Sequence, residues 1–391
     1  MNYILSDGNH REDLFPFTFT RPVSGIRTGI LTIHEKWEKW LGEPISYLTE
    51  DYLSEKFPLK VSKTNMVING SYLPNDELKE AIVGLKVGEA LMQGGEYIAY
   101  VTENPKAAFL SDDYALVSYE KDCSTVKNTW DIFSKNGEAL QADFDLLTKG
   151  RKSQPISNTN QVLNPERIFI EEGATVEFCI LNASTGPIYI GKNALMMEGC
   201  IVRGGLALCE GAILKMGAKI YGPTTAGPGC KLGGEVNNAV LFANSNKGHD
   251  GFLGNSVLGE WCNIGADTNT SNLKNNYAPV RLWNYRTEGF AKTGLQFCGL
   301  MMGDHSKCGI NVMFNTGTVV GVNANIFGSG FPRNFIPSYS WGGASGFTGF
   351  KPEKAFEVAT AMMKRRNMEF DDVEARILEH VFEFTQKWRN Y

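Results

Sequence analysis

The sequence holds no surplus of positive charge. Its 38 Lys and Arg are outnumbered by 43 Asp and Glu, a formal net charge of −5. Non-specific nucleic-acid binding needs spare cations to neutralise phosphates, so that class gains no support. There is no run of 18 apolar residues, which argues against a membrane-spanning helix. The first residues, Met1 to Asp7, have no basic segment and too short an apolar stretch for a secretory signal. The expectation is a cytoplasmic protein with neither nucleic acid nor membrane as partner. None of the eight cysteines forms a C-x-x-C pair, so spacing suggests no zinc site, and without a secretory signal disulfides are not expected. Hydrophobic residues at 42% and charged residues at 21% are an ordinary globular balance. A length of 391 residues suggests two or three domains.

Glycine, by contrast, is abundant. Of 42 glycines, 30 lie between Gly186 and Gly349, a density that suggests a chain turning often and regularly. Every sixth residue from Ile190 is apolar: Ile190, Met196, Val202, Leu208, Leu214, Ile220, Ala226 and Leu232. The run restarts out of phase at Phe252, Leu258 and Ile264, and again at Met302, Cys308, Phe314, Val320 and Ile326. Four residues after each apolar position stands a small or β-branched residue, Leu206 excepted.

A period of six fits neither an α-helix nor a simple strand. It fits a short strand plus a tight corner, with three hexads closing one triangular coil. The first position points inward, the fifth sits at a crowded corner, and stacked coils bury a continuous column that no single coil could. Cys200, Cys230 and Cys262 take the small position and Cys308 an inward one, so they read as packing residues. Hexapeptide β-helix repeats are a class of this kind. Likeness to that class implies a left-handed coil, a hand that periodicity does not show. The two phase breaks, about 238–251 and 270–301, mark where the chain is expected to leave the coil, and such loops often carry function.

Residues 1–147 alternate strand-like runs (Tyr3 to Leu5, Met66 to Ile68, Tyr97 to Val101) with helix-like segments (Thr32–Leu41, Asp76–Ile82), the pattern of an α/β domain. Residues 148–166 read as a linker, 167–350 as the β-helix and 351–391 as a helical segment. There Val373, Ile377, Val381 and Phe384 recur at three- and four-residue steps.

The stretch Lys247-Gly248-His249-Asp250-Gly251-Phe252-Leu253-Gly254, then Asn263-Ile264-Gly265-Ala266-Asp267-Thr268, then Asn272, resembles the acetyltransferase half of the GlmU-like family. The family pattern is roughly G-H-x-x-x-L-G, then N-I-G-A-x-T, then an Asn and a Lys. The resemblance implies N-acetylation of glucosamine-1-phosphate by acetyl-CoA and coupling of the product to UTP, on the way to UDP-N-acetylglucosamine, a cell-wall precursor. His249 matches the general base, a role that suits a side chain titrating near neutrality. Asn263 and Asn272 match positions that contact the acetyl donor or help hold the reacting groups, and the resemblance makes Lys274 a candidate phosphate contact and Glu235 a candidate contact to the sugar. Phe252 stands where the family commonly has tyrosine, which leaves the amino-sugar open. The family is commonly homotrimeric, with active sites between neighbouring coils.

The N-terminal domain resembles a sugar-1-phosphate nucleotidyltransferase. The usual fingerprint, G-x-G-T-R-x-x-P-L-T-x-x-x-P-K, is matched in part by Asp7-Gly8-Asn9-His10-Arg11, Phe15-Pro16-Phe17-Thr18 and Thr20-Arg21-Pro22. Backbone N–H groups of such a loop cradle a triphosphate and cations offset its charge. The resemblance makes Gly8, Arg11, Arg21, Arg27, Asn69 and Gly70 the nucleotide-binding residues. Asn69-Gly70-Ser71 parallels an N-G-D segment whose aspartate holds magnesium, but Ser71 replaces the carboxylate a hard cation prefers. Mg²⁺ is thus the implied cofactor, with its ligands unassigned.

Four readings follow. They are a bifunctional enzyme, an acetyltransferase with an inactive N-terminal domain, a nucleotidyltransferase with a regulatory coil, and a non-catalytic scaffold. A zinc carbonic anhydrase on the same repeat would need three ligand histidines, and only His249 and His305 lie between His34 and His380.

Overall fold

The computed structural model describes all of residues 1–391. The N-terminal domain is built on a six-stranded mixed sheet. Its strands are β1 (Asn2–Ser6), β2 (Ile45–Leu48), β3 (Asn65–Asn69), β4 (Glu89–Gln93), β5 (Glu96–Thr102) and β6 (Ala115–Ser118), in the order β2-β1-β3-β5-β4-β6. Its helices are α1 (Ile33–Leu41), α2 (Asp76–Val83), the short α3 (Asp131–Ser134) and α4 (Asn136–Thr148). The sequence accounts for where α1 begins and ends. Thr32 and Glu35 form a reciprocal capping box, and Gly42 closes the helix in the left-handed conformation. Asn75 caps α2 by accepting from the Leu78 amide.

Beyond it the chain winds a three-faced parallel β-solenoid. Ile190, Leu208 and Ala226 stack in register at intervals of 18 residues, three hexads per coil. The first face runs from Gln161–Leu163 to Phe252–Gly254 and the second, of nine strands, from Ile168–Ile170 to Phe335–Ile336. The third runs from Thr175–Val176 to Asn246–Lys247 and continues through Asn263 to Lys307. The coil already begins at Gln161, inside the segment read as a linker. All eight cysteines are unpaired and seven are buried, as packing residues should be.

The first phase break is not a departure from the coil. Inward positions continue from Leu232 to Val236, Leu241, Lys247, Leu253 and Leu258. Shortened corners shift the phase, and one inward residue is a lysine. Leu253, not Phe252, therefore fills the interior. Val236 pairs with Leu253, which is fully buried, while Phe252 is half-buried and faces out. The second break is a true insertion, carrying an antiparallel hairpin of Arg281–Asn284 with Gly289–Lys292.

The second face is apolar on its outer side as well. Ala207, Val240, Val257, Met301 and Val319 point outward yet are buried, because the N-terminal domain and the 281–292 hairpin cover them. Phe17 packs on Phe242 with ring centroids 5.5 Å apart, and the Thr225 hydroxyl donates to the Gly29 carbonyl. Two helices, α5 (Pro352–Lys364) and α6 (Asp372–Phe384), close the chain. The buried face of α6 is Ile377, Leu378 and Val381, whereas Phe384 is exposed. Leu378 and Val381 join the core shared by the two domains, and Tyr339 donates its hydroxyl to the Leu378 carbonyl.

Candidate active site

The outward row of the third face changes character along the coil. Leu195 and Ile213 are followed in register by Lys231, Asn246, Asn263, Lys307 and Asn325. Helix α5 lies across this polar stretch and leaves a cleft of about 780 Å³. His249 sits at its rim on the corner after Asn246–Lys247. Ile264, Gly265 and Ala266 line its floor, and Val358, Ala361 and Met362 line the helix side. The His249 corner needs Gly251. It has φ +107°, and a Cβ there would overlap the Thr268 carbonyl oxygen.

Five cations reach the cleft: Lys215, Lys231, Lys307, Arg365 and Arg366. No carboxylate lines it, and none of the five takes part in an ion pair. Arg366 is tied to the coil, donating to the Gly229 carbonyl and to Asn246 Oδ1 at 2.9 Å. Burial, with Arg366, Lys215 and Arg365 nearby, holds the Lys231 ammonium below its ordinary range. Burial likewise brings Lys307 down to about 8. Uncompensated cations converging from the coil and from the end of α5 suit a polyanion in charge.

The structure thus brings His249 and Asn263 together and adds cations that the motif pattern did not include. Their signal was positional: Lys231 and Lys307 each directly precede an inward residue. Asn272 and Lys274 do not join them. Asn272 donates to Asn255 Oδ1 at 2.8 Å and Lys274 to the Pro279 carbonyl at 3.3 Å, both at the start of the insertion. Glu235 lies on the first face, where it accepts from the Tyr221 hydroxyl.

The N-terminal residues are placed differently from the expectation. Arg21 is buried against the solenoid, paired with Asp304 and with Glu260 at 3.4 Å. Arg27 is buried on the Ile30 carbonyl and on Glu35 at 3.3 Å. Both are buried and engaged by groups of the protein itself. Arg11 pairs with Asp7 at 3.0 Å and donates to the Tyr52 hydroxyl at 2.7 Å. His380 of α6 stacks on Tyr52 at 3.9 Å. Gly8, with φ +58°, packs tightly on the Asn69 side chain, and Gly70 lies against the Ser6 carbonyl. At the position of the metal-binding aspartate the Asn69-Gly70-Ser71 segment offers no carboxylate. Ser71 donates its hydroxyl to Asn69 Oδ1 at 2.7 Å, and nowhere do three or more His, Cys, Asp or Glu side chains converge as metal ligands.

Residues 3–152 match a family described as sugar nucleotidyl transferase, so the N-terminal domain is similar to that family, and a further part of the chain is similar to GlmU-like proteins. Over 150 residues it is 29% identical to the uncharacterized acetyltransferase YaiX of Escherichia coli O6:K15:H31, covering 38% of this chain and 64% of that one. Over 91 residues it is 36% identical to the bifunctional protein GlmU of Methanocaldococcus jannaschii, covering 23% of this chain and 21% of that one. The chain thus spans less than two thirds of either relative. A solved UDP-N-acetylglucosamine acyltransferase, LpxA from Bacteroides fragilis, aligns with a TM-score of 0.31 and 15% identity, over 60% of this chain and 84% of that one. No helix is long and apolar enough to cross a membrane.

Proposed function

We propose that the cleft between the third face and α5 is the active site of an acetyl-CoA-dependent N-acetyltransferase acting on an amino-sugar phosphate. One observation carries this reading: His249 opens onto five cations without a carboxylate or an ion pair among them. A phosphate-rich thioester such as acetyl-CoA matches that charge. His249 takes a proton from the substrate amine as its nitrogen attacks the thioester carbonyl. The carbon–sulfur bond then breaks, and the proton passes to the departing thiolate to give free CoA. The names of the relatives, an acetyltransferase and a bifunctional GlmU, support the class.

The family match over residues 3–152 supports a second activity, uridylyl transfer from UTP to the sugar-1-phosphate, which would place the protein in UDP-N-acetylglucosamine synthesis. The packing of Arg21 and Arg27 favours instead an N-terminal domain that serves assembly. A homotrimer joined through the first face, where Ile180 and Ile201 stand exposed, accords with the resemblance. Eight unpaired cysteines suit a cytoplasmic setting.

The test supplies glucosamine-1-phosphate, acetyl-CoA, UTP and magnesium, and follows CoA and pyrophosphate separately with wild type and His249→Ala. CoA release lost in the variant supports acetyl transfer. Pyrophosphate release in both proteins establishes bifunctionality. CoA release that survives in His249→Ala removes His249 as the base, and absence of both products removes this substrate pair.

A further inference from the structure

One column of inward residues runs up the third face: Val176, Met196, Leu214, Leu232, Lys247, Ile264, Cys308 and Ile326. Seven are apolar or weakly polar, and Lys247 alone is charged. Its side chain is 1% exposed. An ammonium placed in an apolar column carries a large desolvation cost unless its protons are matched. Here they are matched by backbone. Lys247 Nζ donates to the His249 carbonyl, to the Asp250 carbonyl at 3.0 Å and to the Gly233 carbonyl at 3.4 Å.

Two of these three acceptors belong to the loop that presents His249. General bases are commonly oriented by a third group bonded to the ring, but the His249 imidazole makes no hydrogen bond to another side chain. The placement of the ring therefore falls to its own backbone. The flanks of the loop are held by coil bonds, Asp267 N to the Asp250 carbonyl and Glu235 N to the Gly251 carbonyl. The His249 carbonyl itself is held from inside the coil by Lys247.

We infer that Lys247 is a positioning residue: from the interior of the solenoid it fixes the backbone of His249 and so sets the base against the cleft. This rests on the acetyl-transfer reading above. Lys247→Met suits the apolar column in size and polarity, and its thermal melt checks that it folds. Lys247→Gln retains N–H donors and serves as the partial rescue.

The experiment compares both variants with wild type and His249→Ala in steady-state acetyl transfer, with thermal melts of each protein. Lys247→Met is expected to lower kcat by roughly 10- to 100-fold, as displacement of a catalytic group does. KM for acetyl-CoA should stay within about threefold, because the cation wall is untouched. Its melting temperature stays within a few degrees of wild type, because losing the buried ammonium offsets the carbonyls left without a partner, and the kcat of Lys247→Gln falls between the two. A folded Lys247→Met with wild-type kcat overturns this inference and leaves acetyl transfer standing. So does a parallel fall of kcat and melting temperature with no recovery in Lys247→Gln, the mark of a merely structural lysine. Full activity in His249→Ala overturns the underlying reading, and this inference with it.

Discussion

Arg21 of the N-terminal domain and Asp304 of the solenoid, 283 residues apart, share a buried two-pronged ion pair with N–O distances of 2.5 and 3.2 Å. The same carboxylate accepts from the Thr20 hydroxyl at 2.7 Å and the Glu260 amide at 2.8 Å. One aspartate thus ties the nucleotidyltransferase-like loop to two coils. Removing a single partner strands a buried charge, so Asp304→Ala is expected to cost about 3–5 kcal/mol in denaturant unfolding. Joint replacement, Arg21→Met with Asp304→Leu, loses less than Asp304→Ala alone.

On the proposed acetyl-transfer reading the cleft cations hold the acyl donor without entering the chemistry, so their loss should appear in KM. Arg365→Ala and Lys231→Ala are each expected to raise KM for acetyl-CoA about tenfold, worth about 1.4 kcal/mol, with kcat unchanged. Rising salt should narrow the gap between wild type and variant, because exposed charges are screened. Titration of initial rates against acetyl-CoA at two ionic strengths checks both.

The register of the coil at the His249 corner is open to a direct comparison. Leu253 is fully buried and Phe252 half-buried. Leu253→Ala should destabilise by about 2–5 kcal/mol through an unfilled cavity. Phe252→Ala should cost only about 1 kcal/mol. Equal losses in urea unfolding would return Phe252 to the interior.

Stability should also follow the protonation of Lys247. Burial brings this ammonium from its ordinary value down to about 8, with Asp250, Cys308 and Asp267 acting in the opposite sense. Between that value and the ordinary range the unfolded chain binds the extra proton, so this group makes stability rise with pH across that window. Below about pH 8 its burial penalty is fully present. The melting temperature of Lys247→Met relative to wild type therefore falls as pH rises through 8 to 10 and is level below about pH 8. Lys307, also near 8, contributes equally to both proteins and drops out of the comparison.

Much of the architecture is legible in local spacing. Ile190 to Leu232 recur every sixth residue because a short strand and corner is a local geometry, and each hexad repeats it independently. The glycine-flanked His249 and the N-I-G-A-x-T segment were visible for the same reason. Less legible was the interval after Leu232, where corners shorten and a lysine points inward. Polarity there misreports direction, so a continuous coil looked like a break. The apolar outer residues Val240, Val257, Met301 and Val319 hinted that the second face is covered, without naming what covers it.

The amino-acid sequence by itself determined the solenoid, the α/β domain before it, the helices after it and the histidine worth testing, since each rests on residues a few positions apart. Only the tertiary structure decided that Arg21 and Arg27 serve packing, that Asn272 and Lys274 stand apart from His249, and that Arg365 and Arg366 complete its cleft. The placements of Arg21 and Arg366 depend on contacts between residues more than a hundred positions apart. Such contacts follow from which faces of the coil are left apolar and which helix folds back to meet them, and no local spacing encodes that.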